Sequence, residues 1–183
     1  MDVFEAAQQR RSIRGYQDTP VPSDKLEKIL EAGRLAPSAA NLEPWHFIVV
    51  KDKERRKALS KGTFAKFLTQ AAVVIVACGN KKASPDWCAV DTSLAVENMV
   101  LTAVNEGLGT CCVGSFNDAD VKMVLNIPNN FEVLVMIAVG YPKEKVDIST
   151  KLLRMVRKRK NLSEVVSEEE FGKPFLTQRN TQP

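Results

Sequence analysis

Two long apolar runs, the second broken only by Glu132, constrain the fold of this chain more than any other feature of its sequence. Residues 71–79 and 131–140 are rich in valine, and both are far shorter than a membrane span. Continuous rather than alternating apolar residues predict strands that are buried on both faces. Between the runs, residues 87–106 predict a long helix that Gly107 ends. The sequence therefore predicts an α/β layered domain with helices packed around a central sheet.

Shorter patterns complete the predicted order of elements. Residues 47–50 predict another strand, and residues 119–126 predict a helix with Asp118 as its N-cap. A helix at the N-terminus is expected to place four apolar residues on one face: Val3, Phe4, Ala7 and Ile13. A helix that starts at Ser23 or Asp24 carries a capping-box pattern with Glu27. Its expected core face comprises Leu26, Ile29, Leu30 and Gly33.

The composition is that of one globular domain. The chain has 183 residues, is 44% hydrophobic and carries a net charge of +4. No charged-then-apolar leader opens the sequence, so we expect a soluble, cytoplasmic protein. Its cysteines are expected to be reduced thiols, and with one histidine, His46, no metal site is predicted. The four cysteines are Cys78, Cys88, Cys111 and Cys112. Cys111 and Cys112, adjacent in a strand, should face opposite ways.

A cluster of cations close to the N-terminus is the first candidate for a binding site. The residues are Arg10, Arg11, Ser12 and Arg14. On a continuing helix, Arg10 and Arg14 would share one side, and guanidinium groups bind phosphate or ring carbonyl oxygens in two places at once. Cations at the end of a helix can also serve simply to complement its dipole, so this alternative stays open.

A polar loop that ends in Trp45 is the second candidate, because a polar loop closed by an aromatic suits the edge of a ligand. It follows a helix that ends around residues 36–38, and it carries Asn41 and Pro44. Together, R-R-S-x-R at 10–14 and P-S-x-x-N-x-E-P-W at 37–45 resemble the FMN-dependent nitroreductase family. Residues 105–116 and 157–166 resemble two further landmarks of that family, in the expected order. The similarity extends to about residue 171.

The resemblance implies a short, single-domain nitroreductase-like fold over residues 1–183, with an α+β layout. Its sheet would be central, mostly antiparallel and flanked by helices. Residues 146–183, which are basic and then acidic, would form a C-terminal arm exchanged between the subunits of a homodimer. FMN would lie at the dimer interface. The alternative for this segment is a disordered basic tail.

The resemblance also assigns roles to individual residues. Arg10, Ser12, Arg157 and Arg159 would hold the phosphate and ribityl chain of FMN. Arg14, Lys66 and Thr63 would approach the pyrimidine edge, although Lys66 could equally be a solvated loop residue. The backbone N–H of Gly114 would face flavin N5, so Gly114 and Lys66 are the candidate catalytic groups. The remaining candidate cofactor-binding residues are Arg11, Cys112, Val113 and Ser115, with Pro37, Ser38, Ala39 and Asn41 from the partner subunit.

The implied activity is ping-pong electron transfer from NADH or NADPH, through FMN, to a nitroaromatic, quinone or similar small-molecule acceptor. Alternatives are a flavin protein with other chemistry, such as dehalogenation or flavin cleavage, and a basic nucleic-acid-binding domain. Gly107-Leu108-Gly109 is not a dinucleotide fingerprint, because Cys112 stands where the third glycine belongs. Neither nucleic acid nor a membrane is an expected partner. Because of Glu43 and the short connection 80–87, the sequence does not predict which electron acceptor is preferred. Trp87 is expected either in the core or over the flavin.

Overall fold

The computed structural model describes residues 1–62, 64–143 and 159–175, and the chain divides into two compact units, residues 1–146 and 147–183. The described helices of the first unit are α1 (Val3–Gln9), α2 (Ser23–Arg34), α3 (Lys53–Leu59), α4 (Cys88–Asn105) and α5 (Asp118–Leu125). The described strands are β1 (Trp45–Val50), β2 (Val73–Asn80), β3 (Gly109–Val113) and β4 (Phe131–Gly140). Short 3-10 helices span Ala39–Asn41 and Lys66–Thr69.

The four strands form one sheet in the order β1-β2-β4-β3, and every pairing between them is antiparallel. The two apolar runs of the sequence are the central strands β2 and β4, which pair in a register that sets Ile75 opposite Ile137. The predicted α+β layout with an antiparallel sheet is therefore confirmed. β1 and β3 lie at opposite edges of the sheet.

Alternate residues of β2 belong to two separate hydrophobic clusters, one on each face of the sheet. Val73, Ile75 and Ala77 pack in the cluster that contains Met99 of α4 and Ile29 of α2. Val74, Val76 and Cys78 pack in the other, together with side chains of α3 and α5, including Leu59 and Val121. Helices thus cover both faces, which explains why both runs are apolar along almost their whole length.

The N-terminal helix differs from its prediction. α1 ends at Gln9, and Ala6 is its buried residue, whereas Val3 and Phe4 are 74% and 71% exposed. The expected apolar face is therefore wrong. The physical reason is that the chain leaves the helix at Arg10, where ψ is 127°, and continues towards β3.

Two predicted helix caps are also wrong. α2 follows Pro22, which makes no side-chain cap, and Ser23 and Asp24 already lie inside the helix. Asn117, not Asp118, caps α5 by accepting a hydrogen bond from the Asp120 N–H at 3.1 Å. The Asp118 carboxylate instead accepts from the Val133 N–H at 2.9 Å and pairs with Lys122 at 2.6 Å. α2 ends at Arg34, before the predicted end at 36–38.

The described part of the second unit covers residues 159–175. It contains a 3-10 helix at Leu162–Glu164, which Asn161 caps, and an isolated bridge between Ser167 and Pro174. Across all described residues, none of the helices combines the length and apolar character needed to cross a bilayer.

Candidate active site

The segment 10–16 joins the cation cluster to the edge of the sheet. Ser12 forms a parallel bridge with Thr110 of β3, and the Ile13 N–H donates to the Thr110 carbonyl at 2.8 Å. Gly109 permits this approach, because a Cβ there would lie 2.8 Å from the Ile13 side chain. The spacing of Arg10 and Arg14 predicted that they share one face of a helix. They instead project from an extended segment along β3.

The charges of this segment act on β3. Burial raises the pKa of the Cys111 thiol, while the positive charges of Arg14 and Arg10 and a hydrogen bond from Ser12 oppose that rise. All three predicted ligands thus lie within electrostatic or hydrogen-bonding reach of one strand. The Arg14 guanidinium also lies 5.9 Å from the centre of the Phe67 ring, a cation–π contact that holds it in place.

Arg11 has a different environment. Its Nη1 donates to the Gln8 carbonyl at 2.5 Å and to the Arg10 carbonyl at 2.8 Å, both at the C-terminal end of α1. A cation there satisfies carbonyl groups that the last turn of a helix leaves without partners. Helix capping therefore accounts for these contacts of Arg11 without a ligand.

β3 ends at the candidate catalytic backbone group. Cys111 and Val113 are buried whereas Cys112 is exposed, so the two cysteines face opposite ways as predicted. Gly114 follows in an exposed position, and a Cβ added there would meet nothing within 4 Å. The Ser115 hydroxyl oxygen is buried and has no hydrogen-bond partner in the structure.

The loop before Lys66 packs on the same turn. A Cβ at Gly62 would lie 2.0 Å from the Ser115 carbonyl oxygen, so only glycine allows this contact between the two loops. Lys66 is exposed at the start of the 3-10 helix that carries Phe67, the ring under Arg14. Lys66 therefore lies in sequence between Gly62, which packs on the turn after β3, and Phe67, which contacts Arg14. Thr63 lies outside the described residues.

Residues 37–41 form a second group at the other edge of the sheet. This loop leads into β1, and the Ala39 N–H donates to the Asp91 carboxylate of α4 at 3.2 Å. A groove of about 240 Å³ lies between the loop and α4. It is lined by Pro37, Ser38, Ala39, Trp87, Val90, Asp91 and Leu94. Trp87 is 55% exposed, so its predicted place in the core is wrong for the single chain.

The two groups of candidate residues are therefore not neighbours within one chain. β1 and β3 are separated by two strands, and neighbouring strands lie about 4.8 Å apart, so the two edges are about 14 Å from each other. Arg159 belongs to the second unit and is exposed, and Arg157 lies outside the described residues. Among the described residues, no group of three or more histidine, cysteine or acidic side chains is placed to bind a metal.

Three residues that shape this site were not among the candidates that the sequence patterns predicted. They are Gly62, Phe67 and Asp91. The position of Asp91 in the sequence could have indicated a structural role, because Asp91, Ala95 and Met99 recur at intervals of four on the buried face of α4. A carboxylate on a buried stripe needs a partner. The contacts of Gly62 and Phe67 depend on tertiary structure and left no pattern in the sequence.

Comparisons with known proteins cover the same region. The sequence pattern of the nitroreductase family matches residues 7–66 and 59–141, a span that includes both groups of candidate residues. A protein of Archaeoglobus fulgidus, named provisionally as an NADH dehydrogenase/NAD(P)H nitroreductase, is 40% identical over 146 residues. The match covers 75% of this chain and 84% of that protein.

Two further relatives are similar over most of their length. The NAD(P)H FMN reductase of Bacillus subtilis is 29% identical over 167 residues, which cover 79% of this chain and 67% of that protein. The solved structure of an FMN-dependent nitroreductase from Clostridium difficile R20291 is 32% identical and superposes with a TM-score of 0.71. That superposition covers 86% of this chain and 99% of the other.

Proposed function

Because the chain belongs to the nitroreductase family, we propose that it transfers electrons from NAD(P)H, through bound FMN, to a nitroaromatic, quinone or similar acceptor by a ping-pong mechanism. The chain is an NAD(P)H-dependent oxidoreductase, and FMN is its cofactor. The observation that carries the proposal is the convergence of Arg10, Ser12 and Arg14 on β3, next to the exposed Gly114.

The residues at the β3 edge fit FMN. A phosphorylated cofactor with a planar ring needs cations and a hydroxyl for its phosphate and polar chain, and a flat, unobstructed backbone beside its ring. Arg10 and Ser12 supply the cation and the hydroxyl. Gly114 supplies the unobstructed backbone, because nothing lies within 4 Å of where its Cβ would be. Arg157 and Arg159 are proposed to complete the phosphate site.

Each residue at this edge has a defined task in the proposed chemistry. When bound, FMN supplies a ring atom, N5, that accepts hydride from the nicotinamide and donates it to the acceptor. The Gly114 N–H would donate a hydrogen bond towards that atom, so no acidic or basic side chain would be needed there. Arg14 and Lys66 would hold positive charge at the pyrimidine edge, where it would stabilise the negative charge that reduction adds. The cation–π contact with Phe67 keeps Arg14 oriented for this role.

The distance between the two edges supports a homodimer in which each site is shared. We propose that Pro37, Ser38, Ala39 and Asn41 of one subunit close over the β3 edge of the other. Exposed apolar side chains support such an interface, since Trp87, Val90 and Leu94 follow one face of α4 and are 45–55% exposed. Val3 and Phe4 of α1 are exposed in the same way. Residues 146–183 are proposed to form an arm that embraces the partner.

The visible spectrum of the purified protein is the first test. Flavin absorbance, with FMN released on denaturation at about one per chain, supports the proposal. Bleaching by NADH or NADPH, followed by recovery with a quinone, supports the two half-reactions, and parallel double-reciprocal plots support the ping-pong order. Bound flavin that neither nicotinamide reduces would instead favour dehalogenation or flavin cleavage. A colourless protein that takes up no FMN would refute the proposal, and salt-sensitive binding of DNA or RNA would then favour the nucleic-acid alternative.

A further inference from the structure

Asp91 is a buried carboxylate with only half of its hydrogen-bonding capacity in use. The residue is 3% exposed and lies in the first turn of α4. One oxygen accepts the Ala39 N–H at 3.2 Å, whereas the other is buried and has no hydrogen-bond partner in the structure. An apolar side chain would avoid the cost of burying that second oxygen. Packing alone therefore does not account for an aspartate here.

The loop that Asp91 contacts is conformationally strained. Ala40, Asn41 and Glu43 have φ angles of 49°, 54° and 45°, a left-handed region that side chains other than glycine seldom adopt. Three such residues within four positions persist only where their surroundings hold them. Within the loop, the Ser38 hydroxyl accepts the Glu43 N–H at 2.9 Å. The carboxylate of Asp91 adds a hydrogen bond that ties the loop to a helix of the core.

We propose that Asp91 is a positioning residue, which holds the strained loop 37–43 in the conformation that forms the partner-facing wall of the flavin site. The inference rests on the proposed function, because it assigns that loop to the shared site. Asp91 lies beneath the loop and touches it through the Ala39 amide. It acts through the loop rather than on the reacting atoms.

Three substitutions at one position separate this role from a general structural one. Asp91→Leu removes the acceptor but fills the space, and it also removes the unpartnered oxygen. Asp91→Ala removes the acceptor and leaves a cavity. Asp91→Asn keeps an oxygen for the Ala39 N–H and serves as the conservative variant. The matched control is Thr92→Val, since the Thr92 hydroxyl is equally buried and unpartnered on the next residue of the same helix.

Hydrogen exchange of the Ala39 amide in the flavin-free protein is the direct readout, measured with thermal unfolding and the FMN dissociation constant. We expect Asp91→Leu to keep the melting temperature of the wild type, to speed Ala39 exchange about tenfold or more, and to weaken FMN binding about tenfold. Asp91→Asn should restore slow exchange and FMN affinity to within about threefold of the wild type. Thr92→Val should change neither.

Two results would overturn the inference while leaving the proposed function intact. One is slow Ala39 exchange in both Asp91→Leu and Asp91→Ala. The other is fast exchange together with wild-type affinity for FMN, since the loop would then be released without consequence for the site. Failure of the proposed function is a distinct result, because it requires that the wild-type protein itself takes up no FMN, and this is visible before any variant is made.

Discussion

Gly62, which packs on the turn after β3, and Gly114, which lies in that turn, are expected to respond in opposite ways to substitution by alanine. A Cβ at Gly62 would lie 2.0 Å from the Ser115 carbonyl oxygen, about 1 Å inside any contact that close-packed atoms tolerate. Gly62→Ala must therefore push two backbone segments apart, and overpacking of this kind costs about 1–3 kcal/mol. For a domain of this size we expect the melting temperature to fall by about 3–10 °C.

Gly114→Ala should behave differently, because its Cβ would enter open space. The flavin-free protein should melt at the wild-type temperature or about 1–3 °C above it, since alanine restricts the unfolded chain. FMN binding should nevertheless weaken about tenfold or more, because the methyl group would occupy the space assigned to the ring. Scanning calorimetry of both flavin-free variants, followed by fluorescence titration with FMN, gives the two values. Wild-type FMN affinity in Gly114→Ala would refute the placement of the flavin at this turn.

Three further predictions concern single side chains, and the first two have a matched control residue. Arg14→Ala should weaken FMN binding about tenfold to a hundredfold in fluorescence titrations, whereas Arg11→Ala should have a smaller effect because its Nη1 donates to carbonyls at the end of α1. Asn117→Ala should cost about 1 kcal/mol in urea unfolding by removing the α5 cap, and Ser23→Ala should cost almost nothing. Burial opposes the ionisation of Asp118, but Lys122 and the Val133 N–H outweigh it and lower the pKa of this carboxylate. Its contribution to stability is therefore present above its ordinary pKa of 3.8 and is lost as the pH falls below that value, and Asp118→Asn should flatten this part of the stability–pH curve.

The parts of the fold that could be predicted are those in which one physical cause dominates the local sequence. Residues 136–140 are buried on both faces of the sheet, and the apolar character of residues 131–140, broken only by Glu132, predicted both ends of β4. Gly107, with a φ of 75°, likewise predicted the end of the long helix α4. In each case the burial or the backbone conformation acts on the same residues that carry the pattern.

The predicted cap of α5 and the predicted end of α1 were wrong because a residue distant in sequence determines which of two equivalent local structures forms. Asn117 and Asp118 are both good helix caps, and only the Val133 N–H, fifteen residues away, draws the Asp118 carboxylate into another role. The bridge between Ser12 and Thr110 ended α1 early in the same way. Arg10, Ser12 and Arg14 still lie together beside β3, although their predicted helical spacing was wrong.

A shared site makes one further prediction that a site within a single chain does not. A variant with Arg10→Ala and Arg14→Ala loses the β3 part of the site, and a variant with Ser38→Ala and Asn41→Gly loses the loop part, with glycine chosen because Asn41 has a φ of 54°.

Neither variant alone should retain FMN on gel filtration. After the two are mixed and allowed to exchange subunits, half of the dimers are mixed, and each mixed dimer has one intact site, so FMN retention should recover to about a quarter of the wild-type level. If one chain provided both parts, every site in the mixture would carry a defect. Absence of recovery, in a mixture shown by mass spectrometry to contain mixed dimers, would therefore refute the shared site while leaving the flavin chemistry at the β3 edge untouched.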